Sequence, residues 1–157
     1  MGKDGILARE LAKLGAVGGM AGGILTGSAT RAAAGAVGAA SGAWLAARYL
    51  PTEQYGREMR LPVDPKSALS AIMTALAQLG RLQDNPGIDS PNPTVAAVIS
   101  SGFMNLNPCV VTVELVPQTT NETLALVSGG AKEGLVKQRT AEKAVLRVID
   151  AIQAVLG

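Results

Sequence analysis

Residues 109–129, CVVTVELVPQTTNETLALVSG, contain two mainly apolar runs separated by a short polar segment. Consecutive side chains of a β-strand point to opposite faces of a sheet, so an alternating pattern indicates a strand with one apolar face. In the first run that face carries Cys109, Val111, Val113 and Leu115. The polar segment 118–121, QTTN, has the length of an antiparallel hairpin connection. The stretch therefore predicts two paired strands, at 109–117 and 122–129.

A third strand is predicted upstream, at residues 94–104. It is joined to the strand at 109–117 by residues 105–108, NLNP, which again suit a hairpin. The segment before it, residues 84–93, reads DNPGIDSPNP and is predicted to be a loop because turn-forming residues fill it.

The pattern at residues 57–63 predicts a further strand. Met59, Leu61 and Val63 alternate along it and share one face. Pro62 has no backbone N–H to donate to a neighbouring strand, so this strand is expected at a sheet edge.

A first helix is predicted at residues 65–79. Asp64 followed by Pro65 is a helix start signal, because Asp caps exposed backbone N–H groups and Pro fits the first helical position. Gly80 is a typical helix stop. One stripe of the helix is apolar, formed by Leu69, Ile72, Met73 and Leu76.

A second, more strongly amphipathic helix is predicted at residues 138–156. Its apolar face is expected to cover one face of the sheet. That face carries Ala141, Val145, Val148, Ile149, Ile152, Val155 and Leu156.

The element order β-α-β-β-β-α predicts an α+β domain, an antiparallel sheet with both helices on one face. We assign this domain to residues 57–157, a common size for one folded unit. Residues 51–56 are expected to be a linker, and residues 1–50 form a segment of different composition.

The N-terminal segment carries small residues at every fourth position. Such a row stays on one slowly turning helix face, because an α-helix has about 3.6 residues per turn. Gly disfavours helices in water, so a regular row of glycines favours close helix packing in a membrane. The predicted helix-packing interface is Gly15, Gly19, Gly23, Gly27 and Gly35.

Residues 14–30 and 32–47 lack charged side chains, and Arg31 lies between them. Each stretch is near the short end of what spans a bilayer. A helical hairpin places Arg31 at its tip, whereas a single long helix needs a polar partner for it. Membrane-interface anchors are expected at Trp44, Arg48 and Tyr49. A signal peptide, a hairpin that packs on partner subunits without a membrane, and a flexible linker are the alternatives.

The composition excludes several kinds of chemistry. The chain of 157 residues has no His and one Cys, which excludes an internal disulfide, a zinc site of several Cys or His ligands and a nucleophile paired with His. Net charge is +2 and aromatic residues make up 3%, so nucleic acid is not an expected partner. We predict no catalytic, cofactor-binding or metal-binding residue, and no enzyme activity.

Three local features suggest a reactive or ligand-binding site, but each has a simpler structural interpretation. The segment 129–134, GGAKEG, lacks the ending of a phosphate-binding loop and is predicted to be a turn before the last helix. Cys109 is expected to be a small buried apolar residue, with an intermolecular disulfide as the alternative. Nothing in the sequence identifies a carboxylate as a general acid or base. The candidates are Asp84, Asp89, Glu114 and Glu122.

In element order, residues 57–156 resemble the small helix-grip domains of bacterial envelope proteins, such as the BamC-type domains. The resemblance rests on Val63, Asp64 and Pro65 opening the first helix and on the long closing helix. It implies a binding or scaffolding role and transfers no site residues. The chain lacks the N-terminal anchor Cys of lipoproteins, so attachment would depend on the Gly/Ala segment.

These observations predict a non-enzymatic, membrane-anchored interaction or assembly module of the cell envelope. The expected partners are further copies of the chain, the lipid membrane and another protein. The alternatives are a soluble structural subunit of a larger particle and a helix-grip domain that binds a lipid or another apolar ligand between helix and sheet.

Overall fold

The computed structural model describes Leu7, Arg9 and residues 51–83, 90–101, 107–132 and 138–157. These residues form an α+β domain of five strands and two helices. In chain order the elements are β1 (Thr52–Leu61), α1 (Pro65–Leu79), β2 (Gly80–Leu82), β3 (Thr94–Ser101), β4 (Asn107–Thr119), β5 (Glu122–Lys132) and α2 (Thr140–Leu156).

The five strands form one sheet in the order β1-β5-β4-β3-β2. Every neighbouring pair is antiparallel, as the sequence predicted. β4 lies at the centre, where Val113 is opposite Val95 of β3 and Val127 of β5. The residues of β4 that alternate in the sequence therefore fill one continuous face, which we call the inner face.

Both helices pack on the inner face, and the core lies between them and the sheet. The fully buried side chains include Ile72 and Leu76 of α1, Val145 and Ile152 of α2, and Leu115 of β4. The α+β fold class and the helices' common side are confirmed.

Helix α1 begins and ends where the sequence predicted. The Asp64 carboxylate accepts hydrogen bonds from the backbone N–H groups of Lys66 and Ser67, with N···O distances of 2.9 and 3.1 Å. At the other end the Gly80 N–H bonds to the Leu76 carbonyl oxygen. Local capping thus fixes both ends of the helix.

The chain does not turn away after α1 but enters β2 at once, a strand the sequence did not predict. A side chain at Gly80 would collide with the Val98 carbonyl oxygen of β3. Gly is therefore required at position 80 because β2 and β3 approach closely. The local sequence does not distinguish such a Gly from one that only ends a helix.

Two other boundaries differ from the prediction. β1 begins at Thr52, so most of the stretch expected to be a linker, 51–56, is paired with β5. The predicted turn at 129–134 is also wrong in part, because residues 129–132 continue β5. The glycines suggested a turn, yet Gly129 and Gly130 both lie in β5, and at Gly129 a side chain does not fit.

Candidate interaction surface

At one end of the domain, α2 lies in close contact with the inner face of the sheet. A Cβ atom added to Gly129 of β5 would lie 2.8 Å from Cγ2 of Val145 and 3.1 Å from the Ala141 carbonyl oxygen. Cys109 of β4 is fully buried beside this contact, at 3.5 Å from the same added atom. Helix and sheet therefore touch directly at this end of the domain.

A carboxylate on β1 fixes the start of α2. Residue Arg139, before the helix, has a left-handed backbone with φ of 52° and gives no side-chain cap. Instead, the Ala141 N–H donates to Oε2 of Glu53 at 2.8 Å. A negative charge at a helix N-terminus is favourable, so Glu53 both caps α2 and connects it to the edge strand.

The outer face of the sheet, opposite the helices, has an apolar and buried end. Val98 of β3 is directly opposite Val110 of β4, and Val110 is opposite Gly130 of β5. Val110 is 0% exposed and Val98 is 8% exposed. Leu7, also 0% exposed, packs with these two valines in a cluster separate from the main core. We call Val98 and Val110 the outer-face patch.

The other end of the outer face is half-buried and mixed in chemistry. Val116 is opposite Leu124, and Glu114 is opposite Leu126. Between this end and the outer-face patch, the Ser128 hydroxyl lies 3.5 Å from the Thr112 carbonyl oxygen. The outer face thus changes from apolar to mixed along the strands.

An open depression of about 510 Å³ lies beside the β4–β5 turn. Arg60 and Glu122 meet there at 3.6 Å, and Arg60 is 82% exposed. The remaining lining residues are Pro62, Thr119 and Asn121. An exposed ion pair of this kind contributes little binding energy, so the depression has no built polar site.

The two carboxylates that the sequence suggested and the structure describes, Glu114 and Glu122, do not converge. Glu114 lies on the outer face, whereas Glu122 faces Arg60 at the hairpin. Asp84 and Asp89 lie outside the described residues. Among the residues that the structure describes, no three Asp, Glu or Cys side chains are grouped so that they hold a metal ion.

The predicted packing interface and anchors fall in a part of the chain that is not described. Gly15, Gly19, Gly23, Gly27 and Gly35 lie outside the described residues, as do Trp44, Arg48 and Tyr49. In the described ranges no helix is long and apolar enough to cross a membrane. The burial of Leu7 was not predicted from the sequence, in which the apolar Val110 on the second face of β4 is the signal for a covered surface.

Comparison with known proteins gives no family. No family model matches the chain, and no curated protein does. Among solved structures it is similar to a conserved protein of unknown function from Enterococcus faecalis, with 13% identity over 66% of this chain and 71% of that one and a TM-score of 0.42.

Two plant proteins give similar values. Ginseng major latex-like protein 151 from Panax ginseng is 13% identical over 68% of this chain and 98% of that chain, with a TM-score of 0.42. Norcoclaurine synthase from Thalictrum flavum is 12% identical over 67% and 86%, with a TM-score of 0.42.

None of these three structures is named as a BamC-type domain, so the resemblance predicted from element order stays a prediction. At these identities and TM-scores the likeness carries no functional assignment.

Proposed function

We propose that the chain is a non-enzymatic interaction and assembly module of the cell envelope, which is attached to a membrane and self-associates through residues 15–47. Its α+β domain presents a surface for contact with polypeptide rather than a cavity for a small molecule. The observation that favours a surface over a cavity is the direct contact of α2 with the sheet at Gly129.

This contact weighs against the alternative of an apolar ligand held between helix and sheet. Ligand pockets typically enclose about 300–1,000 Å³. Here a single added carbon atom at Gly129 would already lie within 3 Å of Val145. Cys109, Val145 and Ile152 are fully buried by protein atoms in the same layer.

The outer face of the sheet supports a role in protein contact. A sheet that is covered by helices on one side usually shows polar side chains on the other. In this domain Val98 and Val110 are apolar and buried on that other side. Apolar residues are expected on the second face of a sheet where further polypeptide covers that face, and Leu7 packs there.

Attachment and self-association are proposed from the row of small residues alone. Gly19 and Gly23 lie at the middle of that row, in a stretch without charged side chains. Close approach of two helix backbones needs such a row, both in a membrane and in an oligomer outside one.

Membrane fractionation tests the proposal, with the full chain compared with a version that begins at Thr52. We expect that only the full chain stays in the pellet after carbonate extraction and that detergent releases it. Circular dichroism of the shortened chain checks that it has folded. If both versions are soluble, attachment is wrong, and the native mass then tests the alternative of a soluble subunit of a larger particle.

A further inference from the structure

We infer that the outer-face patch is the docking site of the chain's own N-terminal segment, with Leu7 as the anchoring side chain. This inference concerns a surface of the domain and does not depend on membrane attachment. The polypeptide bound by the outer face of the sheet would then be the chain's own segment around Leu7.

The first support is the burial of residues that the helices do not reach. Side chains of Val98 and Val110 point away from α1 and α2, because Ile99, Cys109 and Val111 next to them belong to the main core. Yet Val110 is 0% exposed. Its cover therefore comes from outside the two-layer domain, and Leu7 is the side chain that shares its cluster.

The second support is the extent of the buried area. Pro108 and Gly130 lie on the same face and at the same end as Val110, and both are buried. At the opposite end Val116 and Leu124 are only half-buried. Cover is thus concentrated where Leu7 packs, which is the pattern expected of a segment docked at one end of the sheet.

Chain connectivity favours docking within one chain over docking by a second copy. The chain enters β1 at Thr52, which is opposite Lys132 of β5 and bonded to it through the Lys132 ammonium at 2.7 Å. Val110 is opposite Gly130, at the same end of β5. Strands lie about 4.8 Å apart, so Val110 of β4 is about 10 Å across the sheet from β1.

Residues 8–51 connect Leu7 to Thr52 and easily span such a distance, since an extended chain covers about 3.3 Å per residue. A tethered segment has an effective concentration in the millimolar range. A second copy at micromolar concentration competes poorly with it.

Cross-linking tests the occupant directly. In a Cys109→Ala background, Leu7→Cys is combined with Val98→Cys and bridged with a short bis-maleimide. The matched control combines Leu7→Cys with Leu124→Cys. Leu124 is opposite Val116, about 20 Å along β4 from Val110.

Chains labelled with ¹⁵N are mixed with unlabelled chains, and the linked peptides are identified by mass spectrometry. We expect a link between positions 7 and 98 within chains of one isotope, and at least tenfold less of it in the control pair. Mixed-isotope peptides at half of the total would show that a second copy occupies the patch. No link, or equal linking in the control, would show that Leu7 does not dock there.

A second measurement does not depend on cysteine variants. Leu7→Asn places a polar group against two valines, whereas Leu7→Met keeps an apolar side chain of similar volume. We expect Leu7→Asn to lower the Tm by several degrees and to raise the binding of a hydrophobic fluorescent dye severalfold, and Leu7→Met to change neither. Val155→Asn, at the exposed Val155 of α2, is the control. Equal behaviour of Leu7→Asn and Val155→Asn would overturn the docking.

Discussion

Gly129 of β5 and Val145 of α2 approach so closely that a Cβ atom on the glycine would lie 2.8 Å from the valine Cγ2 atom. Real Cβ atoms do not make contacts this short, so one of the two elements would have to move. The absence of a side chain at residue 129 thus sets the distance between the last helix and the sheet.

Gly129→Ala is expected to destabilise the domain by about 1–3 kcal/mol, the usual range for overpacking a core. Urea unfolding followed by circular dichroism measures the change. Gly56→Ala in β1 is the matched control, because its Cβ would meet nothing nearer than 3.7 Å.

The same contact makes a pairwise prediction. Val145→Ala removes the clashing methyl group, so it should cost less stability in the Gly129→Ala background than in the native chain. Additive effects of the two substitutions would contradict the proposed clash.

Glu53→Ala should lower the free energy of unfolding by about 1.5–3 kcal/mol, because it removes a charged acceptor from the Ala141 N–H. Glu53→Gln keeps an acceptor without the charge and should cost less. Glu58→Ala, at an exposed position of the same strand, serves as the control. A loss at Glu58 as large as that at Glu53 would argue against the cap; chemical denaturation measures all three variants.

We expect the Asp64 carboxyl group to make part of the domain's folding stability depend on pH. The hydrogen bond from the Ser67 hydroxyl, followed by that from the Ser67 backbone N–H, lowers the pKa of this carboxyl below its usual 3.8. The folded state therefore favours the ionised form. The contribution of Asp64 to folding stability is complete above the pKa that this group has in the unfolded chain. It is lost as the pH falls through the lower pKa of the folded state.

Asp64→Asn isolates this effect, because Asn still caps a helix but does not titrate. The difference in Tm between the native chain and Asp64→Asn should be constant well above the usual pKa of 3.8 and shrink as the pH falls below it. A difference that is independent of pH would show that the carboxylate is not the cause.

Replacement of Gly19 and Gly23 by Leu should abolish self-association and leave the C-terminal domain folded, since bulky side chains block close helix approach. Sedimentation in detergent measures the mass of the full chain, and circular dichroism checks the domain. Gly19→Ala with Gly23→Ala is the control that keeps the row small. An unchanged mass in the Leu variant would reject the predicted interface.

The helix α1 and the central hairpin could be predicted from the sequence because their signals are local. Asp64, Pro65 and Gly80 specify the ends of α1 within a few residues, and the middle of β4 alternates from Val111 to Val116. β2 and the end of β5 were missed for a shared reason. Gly80 and Gly129 resemble chain breakers, but their requirement for Gly comes from Val98 and from α2, which are distant in the sequence.

The sequence predicts the apolar residue of the candidate surface on β4 but not the residue that covers it. The alternation in β4 places Val110 on the face opposite the core residues. An apolar residue at that place predicts that the second face is also covered. That Leu7 covers it depends on a contact between residues about a hundred positions apart, and no local pattern in the N-terminal segment specifies that partner.

The packing of Leu7 on Val98 and Val110 constrains the topology of the whole chain. Leu7 and Thr52 both lie on the same folded body, one before the Gly/Ala segment and one after it. A chain that starts and finishes on one side of a bilayer crosses it an even number of times. If the Gly/Ala segment enters a bilayer as proposed, the packing of Leu7 therefore fits an even number of passes and contradicts an odd number.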